Sequence, residues 1–420
     1  MAESSADEVV ASTSETGCVI VGGGPAGTVL ALLLARAGVA VTLLESHADF
    51  DRDFRGDTVH PSTLEMLDQI GLAEKLHAIP HGKMRQALIR TKERAYVMAD
   101  FSRLPTKYPY VLTVSQAKFL DLLADEARRY PNFRLVLRAN VQRLVEADGG
   151  VKGVRYRDGE NRWHEVRAPL TVAADGRFSK LRHLAGFEPV KTSPPMDVVW
   201  IRFTKKPTDP TECAEIFVGG GRFAVVLDRG DAWQIGYCIL KGSFSALKTA
   251  GIEALRTAVG EQVPWLADRV AEIRDWKDAT VLNVESSRVP TWHKPGLLLI
   301  GDAAHVMSPV GGVGINVAIQ DAIAAANLLT DPLLMGTVTE ADLTAVQALR
   351  EPGVKGVQEF QAMVQNKLAA PGLTGKEFRL PWFVRLALSL PVVRNVPAKM
   401  MAYGPHRVKL APRPAVATAP

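Results

Sequence analysis

Gly22-x-Gly24-x-x-Gly27, followed by an acid at Glu45, is the most chemically suggestive spacing in the chain. Glycines so placed make a tight turn, let main chain approach a pyrophosphate, and let a helix pack closely on a strand. An acid about 20 residues further on suits a ribose hydroxyl, a neutral partner rather than a 2′-phosphate. Two later segments also set an acid directly after an apolar run. They are Ala174-Asp175-Gly176-Arg177 and Gly301-Asp302-Ala303-Ala304-His305. Beyond Asp302 come Pro309 and then Gly311-Gly312-Val313-Gly314-Ile315-Asn316. Small residues in such a run let backbone lie against a flat ligand and point successive N–H groups at it.

The elements that must hold these residues follow from the pattern. Cys18–Val21 reads as a buried parallel strand, and residues 28–37 as a helix stopped by Gly38. Pro25-Ala26-Gly27 lie at the start of that helix, where free N–H groups and the positive dipole end meet phosphate. A second strand over 39–44 ends at Glu45, completing a βαβ unit. Residues 170–174 and 297–300 predict two more parallel strands, with Asp175 and Asp302 at their C-terminal ends, where open α/β sheets bind ligands. Asp175 has a plainer alternative, capping the turn that follows it. Residues 316–329 predict a helix starting at the glycine run.

Between the second and third motifs the period changes. Residues 198–203, 215–218, 223–227 and 233–240 are short strand patterns separated by Gly219-Gly220-Gly221 and Asp228-Arg229-Gly230-Asp231. They predict an antiparallel sheet, with helices over 252–259 and 265–271. The expected organisation is a disordered lead-in over 1–15 and a discontinuous nucleotide domain over 16–190 and 285–370. A β-sheet substrate domain over 191–284, with part of 80–112, interrupts it, and a basic helical segment over 371–420 follows.

Composition narrows the class. With 420 residues, 47% apolar and 23% charged, the chain has the profile of a globular protein large enough for two domains. No run of about 18 apolar residues predicts a spanning helix, and residues 1–15 lack the features of a secretory signal. Three cysteines without metal spacing suit a reducing cytoplasm. The last 50 residues carry a net +7, leaving the first 370 at −2. That tail reads as a helix packed on the nucleotide domain or a dimer contact, in preference to docking on an anionic membrane. No zinc-finger or aromatic-basic pattern points to nucleic acid. The nine histidines show no metal-ligand spacing.

The three glycine segments, in this order, resemble those of the class A flavoprotein monooxygenases, the family of para-hydroxybenzoate hydroxylase and the ubiquinone-ring hydroxylases. Arg55-Gly56-Asp57-Thr58-Val59-His60-Pro61-Ser62-Thr63-Leu64-Glu65 resembles the family's segment after its second strand. The likeness covers roughly residues 17–190 and 285–330. It implies an α/β fold, with a Rossmann-like FAD-binding domain, an inserted antiparallel sheet and a C-terminal helical segment. It implies that Gly22, Gly24, Pro25, Ala26, Gly27 and Glu45 hold the ADP half of FAD. Arg55 would lie by the pyrophosphate or flavin, Gln116 would touch the cofactor, and Asp302 would bind the ribityl chain. Pro309, Gly311, Gly312, Val313, Gly314, Ile315 and Asn316 would line the isoalloxazine ring. Asp175 would serve FAD and the nicotinamide cofactor.

The implied activity is hydroxylation of a phenol-like, quinone-precursor or polyketide ring with O2, through a C4a-hydroperoxyflavin. NADH or NADPH would dock transiently, since no second βαβ fingerprint exists. Partners would be the small aromatic substrate and O2, and the chain would act as monomer or homodimer. His305 would be structural and His81 a loop residue; no catalytic acid or base can be named. Prenyl-lipid reduction, halogenation and a non-catalytic flavin module are the alternatives. Ala232-Trp233-Gln234-Ile235-Gly236 lacks the first Trp, the second Trp spacing and the Pro of the halogenase WxWxIP motif.

Overall fold

The computed structural model describes residues 10–51, 58–91, 94–210, 213–373 and 391–418. Its organising element is a six-stranded sheet, ordered His293–Lys294, Leu297–Leu299, Leu170–Ala173, Cys18–Val21, Val41–Leu44, Phe133–Val136. All neighbours are parallel except the first pair. The central strands are buried at every position because both faces are covered, and only Thr42 and Thr171 among them are polar. Cys18 and Ile20 face the helices Pro25–Arg36 and Gly314–Met335; Val19 and Val21 face a second apolar layer with Val141, Val154 and Val166.

That second layer is a four-stranded sheet containing Asn140–Ala147, Gly150–Arg157 and Trp163–Arg167. Its edge is Val10–Glu15, paired in parallel with Trp163–Arg167. The expected disordered lead-in is therefore ordered from Val10 on. Pairing at a sheet edge uses backbone N–H and C=O groups, so a polar Ser/Thr-rich run can join it without an apolar signal.

A seven-stranded sheet runs Ala279–Leu282, Met196–Thr204, Ala232–Leu240, Arg222–Asp228, Cys213–Gly219, Gln86–Arg90, Ala95–Asp100. It is not wholly antiparallel, because Gln86–Arg90 pairs in parallel with Cys213–Gly219. Alternation splits its side chains cleanly. Val199, Ile201 and Phe203 pack on the expected helices, Ile252–Gln262 and the 3-10 helix Pro264–Glu272. Val198 and Trp200 point to the other face.

Helix Gly314–Met335 begins earlier and ends later than its pattern suggests, running through Pro332. Val310–Met335 is long and apolar enough to cross a membrane, but 72% of its apolar window is buried between other elements. Beyond helix Pro391–Tyr403, the tail runs along helix Gly314–Met335, with Val408, Ala411 and Arg413 meeting Gln320, Asn327 and Asp331. Arg413 pairs with Asp331 at 2.7 Å, Arg407 with Glu65, and Val416 N–H donates to Arg36 O. Two cations of the basic tail are thus spent inside the fold. The apolar segment 383–390 lies outside the described residues.

Candidate active site

The three motif strands are immediate neighbours. Leu170 is level with Cys18 and Thr171 with Leu297, so Gly22, Ala174 and Ile300 leave the sheet side by side. Ala174 N–H donates to Val21 O at 2.8 Å, and Ile300 N–H to Ala173 O at 3.0 Å. Segments about 150 and 280 residues apart in the chain thereby share one sheet edge.

At that edge lies a cleft of about 230 Å³ lined by Gly22, Gly24, Glu45, Gln116 and Asp175 among others. The glycines divide their work. A Cβ on Gly22 would lie 2.4 Å from Ala174 O, and one on Gly27 2.0 Å from Gly22 O, so these two permit packing. A Cβ on Gly24 would meet no atom within 4 Å, so its bareness keeps the cleft open. Helix Pro25–Arg36, which carries Ala26 and Gly27 in its first turn, has no side-chain cap and no acid there. Its N–H groups are offered to an anion, which fits a pyrophosphate.

Glu45 is buried at the cleft wall, where Gly23 N–H donates to Oε2 at 2.8 Å and His47 N–H to Oε1 at 2.9 Å. Gln116 opens helix Gln116–Arg128. Asp175 both lines the cleft and caps its own turn, accepting from Ser179 Oγ at 2.5 Å and Leu181 N–H at 3.1 Å. Burial pushes its carboxyl above the usual range in spite of those donors. Arg55 lies outside the described residues.

Asp302 sits in the short turn Gly301–Ala303, with Gly301 against Ala26, its Cβ position 3.2 Å from the Ala26 methyl. The turn is fixed from behind by a buried ionic cluster that sequence reasoning missed. Asp321 accepts from Gly301 N–H at 2.9 Å, His305 Nε2 at 2.7 Å and Arg350 Nε at 2.8 Å. Burial alone would raise the Asp321 carboxyl; the facing His305 and Arg350 outweigh it and hold it below the usual range. A lone acid inside the apolar run 316–329 was the available signal.

Pro309 caps the 3-10 turn Val310–Gly312, which leads through Val313 into helix Gly314–Met335. That helix also lacks a side-chain cap and an acid in its first turn. Ile315 packs on the core. The Asn316 side chain is a structural node. Its Oδ1 accepts from Ser62 Oγ at 2.5 Å and Thr63 Oγ1 at 3.2 Å, and its Nδ2 donates to Ala402 O at 3.3 Å. His81 begins the strand His81–Met84 instead of sitting in a loop, since Gly82 and Lys83 pair with Thr113 and Leu112.

A cleft at the C-terminal edge of the sheet, two uncapped helix starts and a glycine-rich turn are what a flavin dinucleotide would need. The chain belongs to the FAD binding domain family, that of the class A flavin monooxygenases, which matches residues 15–361. It is 32% identical over 404 residues to 6-methylpretetramide 4-monooxygenase of Streptomyces rimosus, covering 95% of each chain. It is 25% identical to pentachlorophenol 4-monooxygenase of Sphingobium chlorophenolicum, over 74% of this chain and 57% of that one. Among solved structures it resembles OxyS anhydrotetracycline hydroxylase from Streptomyces rimosus, with a TM-score of 0.73 and 25% identity, covering 92% of this chain and 76% of that one. The protein is an FAD-dependent monooxygenase.

Proposed function

We propose that this monooxygenase hydroxylates a phenolic ring of a fused aromatic polyketide. Bound FAD supplies the chemistry: it takes electrons from NADH or NADPH and activates O2 for transfer to the ring. The chain's own residues bind, orient and exclude water.

The observation that carries the substrate class is the apolar face of the seven-stranded sheet. Two adjacent cross-strand rows make it. One runs Trp200, Gly236, Val225, Ile216, Ile89; the other runs Val198, Cys238, Phe223, Val218. Trp200, Val225 and Ile216 are half-buried, while Val198, Phe223 and Cys238 beside them are buried. Val310 of the glycine platform packs against the same cluster. Gly236 makes room for the Trp200 ring, since a Cβ there would come within 2.9 Å of it. Ala369 and Leu373 cover the Val218 and Phe223 end of this face, and the remaining apolar surface, around Trp200 and Val225, suits a large planar substrate held by area rather than by charge. The relatives named for 6-methylpretetramide and anhydrotetracycline support the same class.

On this reading the residues over 16–190 and 285–370 form the cofactor domain, and the seven-stranded sheet the substrate wall. Gly22, Gly24, Gly27, Glu45 and Gln116 hold the ADP half, Asp302 the ribityl chain, and Pro309 to Asn316 the ring. The nicotinamide cofactor docks transiently.

The test is product mass spectrometry on a panel of phenols and fused polyketides with NADH or NADPH under labelled O2. One labelled oxygen in a polyketide product is expected. Labelling of single-ring phenols alone would overturn the substrate class. Reduction of a double bond without O2 uptake, or halide incorporation, would overturn hydroxylation.

A further inference from the structure

The carbonyl of Gly312 is held by two donors from one distant segment. Thr58 Oγ1–H donates to it at 2.7 Å, and His60 Nε2–H at 3.1 Å. Both side chains are buried, His60 completely. Gly311 and Gly312 have φ of 79° and 60°, a turn that only residues without a Cβ adopt freely. Across a trans peptide the N–H leaves on the side opposite the C=O. Fixing the Gly312 carbonyl therefore fixes the direction of the Val313 N–H. Among the described residues no main-chain carbonyl accepts from that N–H.

His60 is locked in place. Its segment continues into helix Pro61–Gln69, whose Ser62 and Thr63 hold Asn316 at the far side of the same turn. Its Nδ1 is buried without a well-formed hydrogen bond, although the Met401 carbonyl is near enough to act on the ring.

We propose that Thr58 and His60 are positioning residues for the reduced cofactor. By gripping the Gly312 carbonyl they turn the Gly312–Val313 peptide so that its N–H faces the ring edge where negative charge gathers on reduction. A peptide flipped the other way would present a carbonyl oxygen to that charge. A preorganised donor aimed at developing charge in a dry site is worth much more than the same donor in water. The pair therefore favours reduced over oxidised FAD and raises the two-electron potential. Neither side chain touches the ring; both act through the peptide.

The inference rests on FAD as the cofactor and not on the substrate class, so it is measured without substrate. The midpoint potential of bound FAD is compared in the native protein, T58V, T58S, H60L and H60Q, alongside oxidised-FAD affinity and melting temperature. T58V and H60L are each expected to weaken the preference for reduced FAD about tenfold, which lowers the two-electron potential by about 30 mV. T58S and H60Q keep a donor and are expected to keep the native potential. An unchanged potential in T58V at full FAD occupancy overturns the proposal, even if its melting temperature falls, because that is what a merely structural role predicts. If H60L does not fold, the T58V and T58S pair decides alone.

Discussion

Arg350 Nε lies 2.8 Å from Asp321 Oδ1, and both side chains are sealed from solvent. The pair joins helix Glu340–Val364 to helix Gly314–Met335, and its carboxylate also holds the Gly301 N–H. Asp302 therefore stands on a turn whose shape depends on an ion pair outside the cleft.

Removing one partner leaves an uncompensated buried charge, which costs about 3–5 kcal/mol. R350M is expected to lose about that much stability in urea unfolding of the apoprotein, and to retain less FAD than the native chain after gel filtration. Native FAD retention in a destabilised R350M would show that the cluster serves the core and not the Asp302 turn.

Gly24 separates cofactor binding from folding; Gly27 does not. Gly24 has φ −73° and ψ −178°, which alanine adopts without strain, and its Cβ would enter open space. G24A is expected to leave apoprotein stability within about 0.5 kcal/mol of native while weakening FAD binding at least about tenfold, because the methyl occupies the approach path of the pyrophosphate. G27A should instead destabilise the apoprotein as well, since its Cβ would lie 2.0 Å from Gly22 O and must move backbone that lines the cleft. Calorimetry and FAD titration of the two apoproteins check the pair of outcomes.

The cofactor half was legible because its signals are local. Glycine spacing, apolar strands of four residues and a helix stop at Gly38 each lie within one short window. The unread features join distant residues. Thr58 and His60 meet Gly312 across 254 and 252 positions, and Arg350 meets Asp321 across 29 on a different helix. No periodicity reports such pairings. Part of 80–112 was expected in the substrate domain, but the parallel pairing of Gln86–Arg90 was hidden for the same reason, because its partner Cys213–Gly219 follows more than a hundred residues later. Trp200 was placed in a strand, but its meaning depends on Gly236 standing opposite, which only register supplies.

If the seven-stranded sheet is the substrate wall, Trp200 contributes binding area and not cofactor contact. W200A is expected to raise KM for a fused-ring substrate about tenfold, the size of one lost aromatic contact, with unchanged FAD content. More NAD(P)H should also be consumed per product formed, since a loosely held ring misses the oxygen. G236A, which crowds the Trp200 ring, should move KM in the same direction. Steady-state kinetics with product counting tests this; native KM and coupling in both variants would place the substrate elsewhere.

His60 gives the protein a distinct sensitivity to acid. Burial lowers its imidazole from the ordinary 6.5 to about 4, against the raising pull of the Gly312 and Met401 carbonyls. Between these values the unfolded chain binds a proton that the folded chain refuses, so stability rises with pH across the window and falls on acidification. The span amounts to about 3 kcal/mol lost between pH 6.5 and pH 4. Asp321, held low, adds to the loss only below the ordinary carboxylate range, near pH 4 and under. H60Q removes the histidine but keeps a donor for Gly312, so its stability should be flat from pH 6.5 to about 5 where the native curve already declines. Urea unfolding at half-unit pH steps reads both curves. Parallel curves would mean that His60 titrates in the folded protein as it does in the unfolded chain.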